Sequence, residues 1–171
     1  MNNIVFVGVP GAGKSTVGKL VADFIGWQFF DVDLVIETNA GKPISNIFTD
    51  DGEATFRQLE ASTIAALLLN ENSVISLGGG ALGNDETRAS LKDHVVVWLQ
   101  TGLSQAVDRV GMNRNRPLLL GNVRGQLSDL MAAREPIYRG AADITVDTSH
   151  LQVDAVTEAV VAELKRYGAV S

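Results

Sequence analysis

Apolar residues along this chain follow two rhythms, short unbroken runs and positions spaced three and four apart, and the two alternate from one end to the other. Asn3-Ile4-Val5-Phe6-Val7 is a run and predicts a strand. Trp27-Gln28-Phe29-Phe30 predicts a second, ending in Asp31-Val32-Asp33, and Ser73-Val74-Ile75-Ser76-Leu77 a third, stopped by Gly78-Gly79-Gly80. His94-Val95-Val96-Val97-Trp98-Leu99 predicts a fourth, and its continuous apolarity suits a strand covered on both faces. Ile144-Thr145-Val146 is shorter and alternates, which predicts a fifth strand at a sheet edge. Helical spacing fills the intervals. Ser15 to Ile25 carries Val17, Leu20, Val21 and Phe24; Asp51 to Asn70 offers Phe56, Leu59, Ile64, Leu67 and Leu68 to a core; Val153, Val156, Val160, Val161 and Leu164 form a closing amphipathic helix.

Strands and helices alternating at these lengths imply an α/β fold, a parallel sheet with helices on both faces. Ligands of such sheets bind outside the carboxyl ends of the strands. The segments after the first three strands, Gly8 to Ser15, Asp31 to Asp33 and Gly78 to Gly80, should therefore line one crevice. Gly111 to Asn122 fits no regular element: it is bracketed by glycine, rich in Asn and Arg, and Pro117 holds Arg116 extended. A polar, glycine-hinged stretch between two helices suits a mobile lid over about 111–122. No repeat, low-complexity tract or linker interrupts the pattern, so residues 1–171 are expected to form a single domain.

Gly8-Val9-Pro10-Gly11-Ala12-Gly13-Lys14-Ser15 fills every fixed position of the pattern G-x-x-x-x-G-K-[ST], with a strand before it and a helix after. Such a loop turns successive N–H groups toward the polyphosphate of a nucleoside triphosphate, at a helix N-terminus that favours negative charge. Lys14 is placed to reach the β- and γ-phosphates and the Ser15 hydroxyl to bind Mg²⁺. A glycine-rich turn with a chance lysine would not carry this flanking pattern. Nucleotide loops serve motors, GTPases and kinases alike. The chain has no N-K-x-D base-reading motif, and 171 residues leave little room for the added domains of a motor.

A net charge of −6 argues against nonspecific nucleic-acid binding. Yet Arg109, Arg114, Arg116, Arg124, Arg134 and Arg139 gather within one stretch, which suits an acidic protein that handles small anions. No apolar run approaches the ~20 residues of a membrane span, and the start lacks the basic and cleavage-site pattern of a secretory leader. The absence of cysteine excludes a disulfide framework and thiolate metal sites. The expectation is a cytoplasmic monomer without nucleic-acid or membrane partners.

Taken in order, Gly8 to Ser15, Asp31-Val32-Asp33, Phe56-Arg57-x-x-Glu60, Gly78-Gly79-Gly80, Arg116-Pro117-Leu118 and Arg134-x-x-x-Tyr138-Arg139 resemble the shikimate kinase family, from the first strand to about Val146. The resemblance implies a three-layer P-loop kinase fold with strand order 2-3-1-4-5, and ATP-dependent phosphorylation of the 3-hydroxyl of shikimate on the route to chorismate and the aromatic amino acids. It implies catalytic roles for Lys14, Asp33 and Arg116. ATP would be held by Gly11, Ala12, Gly13, Lys14, Ser15, Thr16, Arg109, Arg116 and Gln152, with Arg109 against the adenine. Shikimate would be held within about 32–61 and beyond, by Asp33, Arg57, Gly79 and Arg134, with Glu60 orienting Arg57 and with Phe48 and Phe56 against the ring. Mg²⁺ would be held by Ser15, and by Asp31 through water.

The residues support these roles in their own right. A carboxylate needs guanidinium forks, and ring hydroxyls need acceptors. Asp31 and Asp33, read as an extended segment, face one side, with Val32 inward; standing alone they would read as a turn or a helix cap. Arg57 and Glu60 share a helix face, and alone they would be a surface ion pair. Three successive glycines add no packing, which points to backbone N–H groups approached closely by a substrate hydroxyl. One departure stands out: the family's loop after the fifth strand often carries an arginine, whereas Ser149-His150-Leu151-Gln152 has none, leaving Gln152 or backbone groups in its place. Two other readings are a related small kinase acting on gluconate and a noncatalytic nucleotide-binding module. The Phe56-Arg57-x-x-Glu60 match and the triple glycine disfavour the first; intact Lys14, Ser15, Asp33 and Arg116 disfavour the second.

Overall fold

A computed structural model describes residues 3–112 and 122–171. The first strand, β1 (Asn3–Val7), is buried at every position and lies between β3 (Ser73–Ser76) and β4 (Val95–Gln100). β2 (Gln28–Asp31) and β5 (Ile144–Asp147) form the edges, so the order is β2-β3-β1-β4-β5. Every pairing is parallel, and helices lie on both sides of the sheet, as expected from the alternating pattern. The edge position expected for the fifth strand is found: Ile144 and Val146 are buried while Thr145 and Asp147 face outward.

Crossovers between parallel strands are helical. They are α1 (Lys14–Ile25), α2 (Val32–Ala40), α3 (Ile44–Asp51), α4 (Glu53–Leu67), α5 (Asp85–Ser90), α6 (Leu103–Met112) and α7 (Val123–Ala141); α8 (Val153–Tyr167) follows β5. Most of the lid segment, including Arg114 and Arg116, lies outside the described residues. No helix among the described residues is long and apolar enough to cross a membrane.

Three departures from the sequence pattern have physical causes. The segment Asp31-Val32-Asp33 is not extended: Asp31 ends β2 and caps α2, its carboxylate accepting the Leu34 N–H at 3.2 Å. A cap carboxylate satisfies an otherwise orphaned helix donor, and it turns the chain into the helix one residue early. Second, the helix expected over Asp51 to Asn70 is found as α4, but it starts only after Gly52, whose φ of 86° no L side chain adopts readily, and a separate helix that the pattern did not predict, α3, ends just before that glycine. The buried stripe of α4 runs Phe56, Glu60, Ile64, Leu67. Leu59, expected in the core, falls a residue off that stripe and is 37% exposed, its place taken by a glutamate. Third, Leu20, Phe24 and Val153, read as core-facing, are exposed, because α1 buries Val17, Gly18, Val21 and Ala22 and α8 buries Val156, Val160, Val161 and Leu164.

Asn3 fastens the amino end of the sheet. Its buried amide donates to the carbonyls of Leu68 (3.2 Å) and Asn70 (2.8 Å), and its oxygen accepts the Ser73 N–H at 3.1 Å, tying the α4–β3 connection to β1. Replacing Asn3 by Ala removes these bonds and strands buried partners, for an expected loss of about 2–3 kcal/mol. Urea unfolding should show a lower midpoint at unchanged slope.

Candidate active site

The carboxyl ends of β1, β2 and β3 bring the expected segments together. After β1 the chain forms the phosphate loop, in which Gly11 (φ 82°) and Gly13 (φ 90°) take left-handed backbone conformations, Gly13 as the N-cap of α1. The N-terminus of α1 thus opens at the loop, where unpaired N–H groups suit an anion. Lys14 is buried, its ammonium donating to the carbonyls of Gly8 (2.7 Å) and Val9 (3.0 Å). Thr16 follows on the exposed side of α1.

Sheet register sets the next group. Ser76 pairs with Phe6 on one side and Asp31 on the other. Ser15, just beyond the loop, donates its hydroxyl to the Asp31 carboxylate and lies 3.5 Å from the Ser76 hydroxyl. One Asp31 oxygen caps α2 while the other receives Ser15, so the same carboxylate that caps the helix also lies beside the phosphate loop. Hydroxyl and carboxylate oxygens at the mouth of a phosphate loop are the hard donor set that suits Mg²⁺.

Asp33, in the first turn of α2, faces the Gly78–Gly80 turn after β3. A Cβ on Gly78 would lie 2.9 Å from Glu60 Oε2 and 3.1 Å from Asp33 Oδ1. On Gly79 it would lie 2.7 Å from the Pro10 ring and 3.2 Å from an Arg134 Nη; on Gly80, 2.6 Å from an Arg57 Nη. The glycines are needed for room. Arg57 is held to Glu60 at 2.8 Å and lies 5.2 Å from the Phe56 ring centre, while Phe56 packs on Phe48 at 4.8 Å. Two guanidinium groups, Arg57 from α4 and Arg134 from α7, therefore flank one glycine turn beside Asp33.

Two expected ATP residues sit differently. Arg109 on α6 donates to the Gly11 carbonyl at 3.0 Å, bracing the phosphate loop from behind. Gln152 is exposed at the N-cap of α8, on the loop following β5. Sequence reasoning did not single out Ser76 or Pro10, whose roles come from strand register and from the loop's path. Nor did it give a task to Tyr138, although Tyr138 stands in the Arg134-x-x-x-Tyr138 spacing that places both on one helical face.

These elements set the phosphate loop beside a glycine turn that is flanked by two guanidinium groups and two carboxylates. The model of the shikimate kinase family matches residues 10–165. The chain belongs to the shikimate kinase family. It is similar to the shikimate kinase of Thermobifida fusca, 44% identical over 96% of this chain and 95% of that one. Among solved structures it is similar to a shikimate kinase from Acinetobacter baumannii in complex with shikimate, with a TM-score of 0.94 and 33% identity over 98% of this chain and 94% of that one. A gluconokinase from Sinorhizobium meliloti shares the fold, at TM-score 0.63 and 21% identity over 97% of this chain and 93% of that one. Family membership makes the chain a kinase, a phosphotransferase with an alcohol acceptor and ATP as co-substrate, in aromatic amino acid biosynthesis.

Glu60 carries the site's most telling electrostatics. Burial pushes its carboxyl above the ordinary value of 4.5, Asp33 adds to this, and Arg57 and Arg134 oppose it. The folded chain thus holds this proton more tightly than the unfolded chain. That stabilisation is complete below the unfolded pKa and is lost as pH rises through the folded one. Glu60→Gln cannot ionise and lacks this slope. As pH is raised from about 4, wild type should lose stability relative to Glu60→Gln, measured by parallel urea unfolding. Wild type gaining instead would mean that the arginines outweigh burial.

Proposed function

We propose that the chain transfers the γ-phosphoryl group of ATP to the 3-hydroxyl of shikimate, with the residue roles implied by the sequence. The observation that carries this reading is the convergence of Arg57, Arg134, Asp33 and Glu60 on the Gly78–Gly80 turn, in contact with Pro10 of the phosphate loop. An acceptor held there lies next to the polyphosphate.

Arg57 and Arg134 take the shikimate carboxylate as guanidinium forks, and Glu60 keeps Arg57 in place. Gly79 leaves the backbone open to a ring hydroxyl. Asp33 orients the 3-hydroxyl and accepts its proton as that oxygen bonds to the γ-phosphorus and the bond to the β–γ bridging oxygen breaks, releasing ADP. The loop from Gly11 to Thr16 holds the polyphosphate by its N–H groups, and Lys14 is based at its centre. Arg116, within the proposed lid over about 111–122, meets the charge on the transferring group. Ser15, with Asp31 through water, would hold Mg²⁺, which when bound neutralises phosphate charge. Arg109 lies against the adenine, besides donating to the Gly11 carbonyl, and Gln152 or backbone groups beside it complete the nucleotide site. The chain acts as a single-domain monomer in the cytoplasm, where ATP is plentiful and a sequence without cysteine is at home.

A coupled ADP-release assay with shikimate, gluconate and no acceptor tests this. Turnover with shikimate alone is expected. Equal turnover of both acids, or acceptor-independent ADP release, would contradict the acceptor assignment.

A further inference from the structure

Tyr138 is 2% exposed, and its ring packs on Trp98 with centroids 5.8 Å apart. Its hydroxyl donates to the carbonyl of Gly79 at 2.6 Å. The other two carbonyls of the turn are also engaged, Gly78 with the Ala81 N–H and Gly80 with the Gly83 N–H, both at 3.1 Å. Among the described residues, none of the N–H groups of Gly78, Gly79 or Gly80 donates a bond within the chain. The turn is thus polarised, with its acceptors consumed by the protein and its donors kept back.

Geometry extends the point. In a planar trans peptide the carbonyl of Gly79 and the N–H of Gly80 lie on opposite edges. Drawing the Gly79 oxygen toward α7 turns the Gly80 N–H away from α7. The same hydroxyl has the Arg134 guanidinium beside it, one helical turn earlier on α7. Arg139 lies over the far side of the stack, 5.5 Å from the Trp98 ring centre.

We propose that Tyr138 is a positioning residue of the acceptor site: by locking the Gly79–Gly80 peptide and standing beside Arg134, it aims the Gly80 N–H and the carboxylate-binding arginine at one acceptor molecule. This rests on the shikimate reading above. A buried tyrosine often merely satisfies its hydroxyl on a convenient carbonyl. Here the carbonyl belongs to the middle glycine of the turn, set between Pro10 and Arg134, so its orientation matters to an acceptor held by Arg134. Burial pushes the Tyr138 pKa up to about 12, against the lowering effect of Arg134, so the hydroxyl stays protonated and donating throughout the working range.

The test compares Tyr138→Phe, which removes only the hydroxyl, with Trp98→Phe, which loosens the ring packing and keeps it. Steady-state kinetics should show KM for shikimate raised about 5- to 10-fold in Tyr138→Phe, the factor expected when a buried carbonyl loses its donor, with KM for ATP unchanged. Trp98→Phe should lower the Tm and leave KM for shikimate alone. A lowered Tm in Tyr138→Phe with unchanged KM for shikimate would make the bond purely structural and overturn the proposal. Should Tyr138→Phe not fold, ¹⁵N-glycine spectra of the wild-type chain decide. Shikimate should shift the Gly79 or Gly80 amide resonance, and unmoved resonances would overturn the proposal. Wild type that neither binds nor phosphorylates shikimate would overturn the acceptor assignment first, a failure visible without any variant.

Discussion

The site depends on three side chains that are not there. A methyl group at Gly78, Gly79 or Gly80 would come within 3 Å of Glu60, the Pro10 ring or Arg57 respectively, closer than non-bonded carbon atoms settle. Carboxylates, guanidinium groups and the phosphate loop can therefore crowd around a bare stretch of backbone. Arg57 and Glu60 come from α4, Asp33 from α2, Arg134 and Tyr138 from α7, and Pro10 from the loop after β1. Apart from the pairs Arg57/Glu60 and Arg134/Tyr138, none is near the others in sequence. The entropy cost of consecutive glycines is offset by the contacts they permit.

The sheet delivers these parts to one place. Because β3 lies between β1 and β2, its carboxyl end has the phosphate loop on one side and the start of α2 on the other. Asp31 is the junction: as the last residue of β2 it caps the helix that carries Asp33 and also holds Ser15. The start of α2 and the end of the phosphate loop thus share a single carboxylate.

Much of this was legible in the residues. Apolar runs located all five strands: β1, β3 and β4 are buried on both faces and have little freedom to be polar, while the edge strands β2 and β5 are only partly buried. The phosphate loop was legible because its backbone shape admits few residues. What stayed hidden depended on tertiary context. Asp31-Val32-Asp33 reads equally as the end of a strand or the start of a helix until the Leu34 N–H is seen to need a cap. Leu59 and Glu60 are adjacent, and hydrophobicity alone assigns the core to the leucine, although Arg57 on the same helix already gives the glutamate a partner. Pro136 disguises α7, since proline within a helix argues against one, and Tyr138 two residues later passes for ordinary core. Its partner is a carbonyl 59 positions away in sequence, beyond the reach of any local pattern.

The central claim is that the bare Gly78–Gly80 backbone makes room for the acceptor-binding groups. Calorimetric titration of Gly80→Ala with shikimate, and separately with ATP, tests it directly. A methyl there meets the Arg57 guanidinium at 2.6 to 2.9 Å and must displace it. Overpacking of this kind costs ~1–3 kcal/mol, so shikimate should bind about tenfold more weakly or worse. ATP affinity should remain that of wild type. Wild-type affinity for shikimate in a folded Gly80→Ala protein would contradict the account.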